Sequence, residues 1–146
     1  MMKKILLLLV FSCLLFSKSN FEQPYPTFDQ PRKVVMQLYK SDLKTVNQTL
    51  NVIYNIQKEY PSESLQITVV AYGDGMRAIK KDYDEQTLLR ITSLMEYEVE
   101  FIGCRNTMET LHWVDKDFID GVSFVQAGIV EVIEKKVAGY IGVVPF

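Results

Sequence analysis

From Lys33 to Val144 the chain alternates β-rich runs with stretches whose apolar residues return at helical spacing, giving five strands and four helices in turn. A helix between every two strands leaves no place for hairpins. The strands must therefore lie parallel, with helices packed on both faces of the sheet. The strands are read at residues 34–39 (VVMQLY), 65–72 (LQITVVAY), 99–103 (VEFIG), 122–125 (VSFV) and 140–144 (YIGVV). Within the second, residues 67–71 are apolar or β-branched without a break, as a strand buried on both faces requires. The first helix, capped by Ser41 or Asp42, carries Val46, Leu50 and Ile53 beside Thr49, Val52 and Ile56, and ends before Pro61. The second, capped by Asp84, carries Leu88, Leu89, Ile91, Leu94 and Met95. Asn106 or Thr107 opens a third, through Trp113, and a fourth spans 128–137 and stops at Gly139. In such sheets ligands and reactive groups gather at the carboxyl ends of the strands. Three of those ends are Tyr39-Lys40-Ser41, Tyr72-Gly73-Asp74-Gly75 and Gly103-Cys104-Arg105.

The N-terminus reads as an address. Lys3 and Lys4 precede an apolar run over residues 5–16, broken by Ser12 and Cys13. A membrane-spanning helix needs ~20 apolar residues, whereas a run of this length behind two lysines suits a secretory signal peptide. Ser17 and Ser19 are small residues at the positions a signal peptidase reads, so residues 1–19 are expected to be removed and the protein exported to the periplasm. A second reading stays open: Val10-Phe11-Ser12-Cys13 loosely resembles a lipoprotein box, with Cys13 as the anchored residue. Residues 20–32, with Pro24, Pro26 and Pro31, read as an extended lead-in to a single domain over 33–146. Beyond residue 19 the chain holds 13 basic and 18 acidic residues, a net charge of −5. Such a body has no broad attraction for phosphate backbones, so nucleic acid is not an expected partner.

Few residues can carry chemistry. After residue 19 there is one cysteine, Cys104, and one histidine, His112; a zinc site needs three or four spaced ligands, so neither a metal nor a cofactor is expected. No nucleophile elbow and no P-loop is present. Gly73-Asp74-Gly75-Met76-Arg77-Ala78 matches a dinucleotide-binding fingerprint, but it follows the second strand and lacks a long helix behind it. Its glycines are read as turn formers, with Tyr72, Gly73, Gly75 and Arg77 walling a strand-end pocket. Cys104 has two readings: a buried, inert thiol, or a thiolate facing the start of the next helix, where unpaired N–H groups and the helix dipole favour an anion. Arg105 and Arg77 have two readings, positive charge added beside the thiol or plain solvated surface charge. Asn106 or Thr107 would cap the helix, whereas an apolar surround of Ile102, Met108 and Leu111 would oppose ionisation. With no second cysteine after residue 19, thioredoxin-like dithiol chemistry is excluded.

Several segments, in order, resemble the DsrE family, the group related to the sulfur-trafficking subunits DsrE, DsrF and DsrH. They are Lys33-Val34-Val35-Met36-Gln37-Leu38, Leu50-Asn51-Val52-Ile53-Tyr54-Asn55-Ile56, Tyr72-Gly73-Asp74-Gly75-Met76, Ala127-Gly128-Ile129-Val130-Glu131 and Ala138-Gly139-Tyr140. The most specific is Val99-Glu100-Phe101-Ile102-Gly103-Cys104-Arg105-Asn106-Thr107-Met108. The resemblance implies a three-layer α/β/α fold with a five-stranded parallel sheet, a persulfide-bearing cysteine corresponding to Cys104, and homo- or hetero-oligomers. Two departures stand out: exported relatives often carry His where this chain has Tyr72, and the trafficking relatives are cytoplasmic. The leading expectation is a cofactor-free sulfur carrier that accepts sulfur from a donor protein or small sulfur compound and passes it to an acceptor thiol. The alternatives are a binding module lined by Tyr39, Tyr72 and Met76, or a structural subunit. The family habit and the apolar chain end at residues 143–146 also point to a homo-oligomer.

Overall fold

The computed structural model describes residues 19–144. The signal-peptide reading of residues 1–19 and the alternative anchor at Cys13 thus fall almost wholly outside the described residues. The strands are β1 (Arg32–Leu38), β2 (Leu65–Ala71), β3 (Glu100–Cys104), β4 (Ser123–Val125) and β5 (Ile141–Val143). They pair in the order β4-β3-β2-β1-β5, and every pairing is parallel. The helices are α1 (Leu43–Glu59), α2 (Glu85–Glu96), α3 (Arg105–Leu111) and α4 (Gly128–Val137).

Local chemistry explains most boundaries. The Asp42 side chain, not Ser41, caps α1 by accepting from the Thr45 N–H at 2.9 Å. Ser41 is engaged elsewhere: its hydroxyl donates to Asp74. Asp84 caps α2 through both the N–H and the hydroxyl of Thr87. The first face of the sheet, built from Val34, Met36, Leu38, Ile67, Val69 and Phe101, is covered by Val46, Leu50 and Ile53 of α1 and Ile91 and Leu94 of α2. Burying each of these side chains contributes about 1.5–3 kcal/mol, so this layer dominates the stability of the fold. The second face is thinner: Val35, Val70 and Ile102 are covered by Val132 of α4. Residues 67–71 are all buried, as expected of a central strand.

Four expectations need correction. Leu89, placed with the apolar stripe of α2, is 58% exposed. Gly73 begins a 3₁₀ segment (Gly73–Ile79) instead of a simple turn, and it buries Met76, Ala78 and Ile79. Neither Asn106 nor Thr107 opens the third helix. α3 begins at Arg105 with Cys104 itself in the cap position, because the Asn106 and Thr107 side chains bond to other loops. It also stops at Leu111: His112 takes a left-handed conformation (φ 56°), and the Trp113 N–H turns back to the Met108 carbonyl at 2.9 Å. Trp113 then packs edge-on against Phe118, with centroids 6.0 Å apart.

Candidate functional site

The carboxyl end of β3 delivers Cys104 to the start of α3, in the crevice where β3 and β4 end. The residue is 5% exposed and is the free cysteine of the described residues. Its backbone is pinned, since the Cys104 N–H donates to the Met76 sulfur at 3.2 Å. As a thiol, its Sγ leans toward the Gln126 carbonyl at 3.7 Å. Burial pushes the thiol pKa up. The Gly128 N–H, the Thr107 hydroxyl and the N–H groups of Thr107 and Asn106 more than offset this, and the net shift is downward. The Thr107 oxygen already accepts from the Gly73 N–H at 2.9 Å. Its own hydrogen remains available for donation to a thiolate.

These donors come from two helix starts, α3 and α4, converging on one atom. Gly128 can approach because it has no side chain: a Cβ there would lie 3.0 Å from the Tyr72 Cβ and 3.3 Å from the Cys104 Cβ. Gly75 is tighter still, since a Cβ would fall 1.9 Å from the Leu38 carbonyl oxygen. Gly73, at φ 55°, makes the turn that aims its N–H at Thr107. Gly75 thus serves close packing against β1, whereas Gly73 has open space around it and serves the left-handed backbone that starts the 3₁₀ segment.

Of the two readings of the arginines, surface charge is the one the geometry matches, here paired with carboxylates. Arg105 pairs in two-pronged fashion with Asp115 at 2.9 and 3.2 Å, and its guanidinium lies over the Phe124 ring. Arg77 pairs with Asp74 at 3.0 Å and lies over Trp113. Both charges are matched by carboxylates, and the acidity of Cys104 rests on neutral N–H and O–H donors. The expected apolar surround is also partial, because Met108 is buried while Leu111 is 38% exposed. Tyr72 donates to Gln37 Oε1 at 2.7 Å and lies near Tyr39, with ring centroids 6.4 Å apart. Burial, and then Tyr39, push its phenol pKa up, so it shapes the wall without giving up a proton. Met76 is wholly buried and belongs to the core, not to a pocket lined with Tyr39 and Tyr72.

Beside the thiol, Gly73, Asp74 and Arg77 face Asn106, Thr107 and Thr110 across an open depression of about 450 Å³. Two contributors went unrecognised in the sequence, Gln126 and the Gly128 N–H. Gln126 straps the site: its carbonyl accepts from the Asn106 N–H at 3.0 Å, and its side-chain amide donates to Asn106 and Glu109. The loop after β4 had to meet the loop after β3, its parallel neighbour. That adjacency was the available signal. Among the described residues no group of three metal-ligating side chains occurs, and no helix is long and apolar enough to cross a membrane. The arrangement favours a single thiolate at Cys104.

Comparison with known proteins agrees with the fold. The protein of unknown function MTH1491 from Methanobacterium thermoautotrophicum superposes with a TM-score of 0.73 at 24% identity, covering 78% of this chain and 99% of that one. The ychN protein from E. coli superposes with a TM-score of 0.63 at 15% identity, covering 79% of this chain and 99% of its own. No curated protein matches the sequence significantly. The DsrE/DsrF-like family model matches residues 37–144, from the last two residues of β1 through β5 and across the Cys104 crevice, and the chain belongs to that family.

Proposed function

We propose that the protein is a sulfur carrier that holds sulfane sulfur as a persulfide on Cys104. The observation that carries this reading is the convergence of the Gly128, Thr107 and Asn106 donors on one thiol, which favours its anion despite burial. The Cys104 thiolate attacks the outer sulfur of a donor persulfide, R–S–SH. A new S–S bond forms on Cys104 while the donor's S–S bond breaks, and R–S⁻ leaves with the electron pair. An acceptor thiolate reverses the sequence by attacking the outer sulfur of Cys104–S–SH. No cofactor enters. The open depression beside Thr107 is the side from which donor and acceptor approach. The carrier works in the periplasm after loss of residues 1–19, a reading supported by the basic start and short apolar run. It works as a homo-oligomer, which the exposed apolar side chains of α4 support.

The test is mass spectrometry of the intact protein after exposure to polysulfide. One added sulfur atom, removable by a reductant and absent from Cys104→Ser, is expected. An unmodified Cys104 under conditions that label a small thiol overturns the reading. It would favour the second one, to which the 5% exposure of Cys104 lends weight: a core thiol in a binding module.

A further inference from the structure

We infer that the cleft at the amino end of the sheet, on the opposite rim from Cys104, binds a free aromatic α-amino acid. The cleft, about 430 Å³, opens between the end of α1, the start of β2 and the turn that follows α2. That volume lies within the ~300–1,000 Å³ typical of small-molecule pockets. Ile67 forms part of an apolar floor, and Tyr54, Tyr60 and Tyr97 supply aromatic walls. Two of those walls are already held in place. The Arg90 guanidinium lies over the Tyr54 ring at 5.4 Å, and Tyr60 is stacked on Phe21 at 4.6 Å.

The mouth carries Lys58 and Glu98. Among the described residues, neither forms an ion pair with the other or with any third group. Opposite charges that share a mouth without neutralising each other complement a ligand carrying both an ammonium and a carboxylate. The tyrosines and floor complement its ring.

Glu98 gives the strongest reason to think the charges are used. It has φ 63°, in the reversal where its N–H bonds to the Met95 carbonyl and the Val99 N–H to the Leu94 carbonyl. Glycine is the residue that conformation favours. A carboxylate at the C-terminal end of a helix is also opposed by the helix dipole. Glu98 is thus disfavoured twice by its own backbone setting. An ammonium bound there would pair with its carboxylate and offset the negative end of the α2 dipole. Lys58 then takes the ligand carboxylate.

The test titrates the full chain with L-phenylalanine, phenethylamine and 3-phenylpropionate, read by calorimetry. Saturable binding of phenylalanine is expected, with each one-charge analogue at least tenfold weaker. Glu98→Gln should abolish the preference over 3-phenylpropionate, and Lys58→Met the preference over phenethylamine. Glu98→Gly should weaken phenylalanine binding tenfold while raising Tm by a few degrees, a readout that separates lost recognition from lost folding. Cys104→Ser should bind as the parent does, so failure of the sulfur-carrier reading leaves this result untouched. Absence of saturable binding at millimolar phenylalanine, equal affinity for all three compounds, or unchanged selectivity in Glu98→Gln and Lys58→Met overturns the inference.

Discussion

Thr107 is the residue on which the chemistry of Cys104 turns most directly. Its hydroxyl receives the Gly73 N–H and offers its hydrogen to the sulfur, so one side chain ties the 73–79 segment to the thiol. Thr107→Val keeps the shape and removes the donor. The expected outcome is an upward move of the Cys104 pKa, read as thiolate absorbance against pH, with Thr107→Ser restoring it. The same shift has a consequence for stability. A thiol whose folded pKa lies below its unfolded value, ~8.5, stabilises the fold above that unfolded pKa, and the contribution is lost as pH falls through the folded pKa. The Tm advantage of the parent over Cys104→Ala should therefore grow as pH rises toward ~8.5 and shrink as pH falls through the lowered folded pKa. A flat difference would mean that Cys104 titrates as an ordinary thiol. Gly75 is the packing counterpart. Its replacement by Ala drives a methyl into the Leu38 carbonyl and is expected to cost about 3 kcal/mol, measured by denaturant unfolding.

At the scale of elements, what could be read in the sequence follows from how local each signal is. Asp42 and Asp84 cap helices whose first-turn N–H groups lie three residues away, so the caps of α1 and α2 were readable. The capping N–H and hydroxyl of Thr87 hold the Asp84 carboxyl below the usual carboxylate range. Its contribution is present above the unfolded pKa and is lost as pH falls through the lowered one. Asp84→Ala is thus expected to lower Tm by a few degrees at neutral pH, with the gap closing well below pH ~4. The start of α3 was misread for the opposite reason. Asn106 and Thr107 look like caps, but partners twenty and thirty-four residues away in sequence take their side chains. No pattern within the helix announces such partners. The partner of Arg105 was hidden likewise: Asp115 lies ten residues beyond it, across a reversal at His112 that periodicity does not show. Cys104 itself was readable as a strand-end thiol because the β3–α3 junction is local. Gly128 was not, because it reaches the sulfur only once β4 pairs with β3.

At the scale of the whole molecule, the two faces of the sheet are unequally covered. α1, α2 and the 3₁₀ segment bury a large cluster on one side, while the other rests on α4. α4 turns Val132 inward but leaves Ile129, Val130, Ile133 and Val137 about half exposed or more, and Ile141 of the edge strand β5 is 57% exposed. Exposed apolar side chains grouped on one helix and the neighbouring edge strand are the kind of surface that the proposed oligomer would use as its contact face. β5 also presents an edge only three residues long, too short to recruit a long strand from a neighbour. Side-chain packing across α4, not extension of the sheet, is thus the way copies would meet. The charges on this helix are of both signs: Lys135 is paired with Glu100 and Glu131, and Glu134 and Lys136 beside the apolar residues are exposed and of opposite sign. Ile129 and Val130 directly follow Gly128, whose N–H serves Cys104. An assembled face would border the thiol and restrict its approach to the side of the Thr107 depression. The expected outcome is an oligomer by light scattering for the parent. The double variant Ile133→Lys, Val137→Glu should be a monomer with an unchanged circular dichroism spectrum. A parent that scatters as a monomer at high concentration, or a double variant that still assembles, would remove α4 as the contact face.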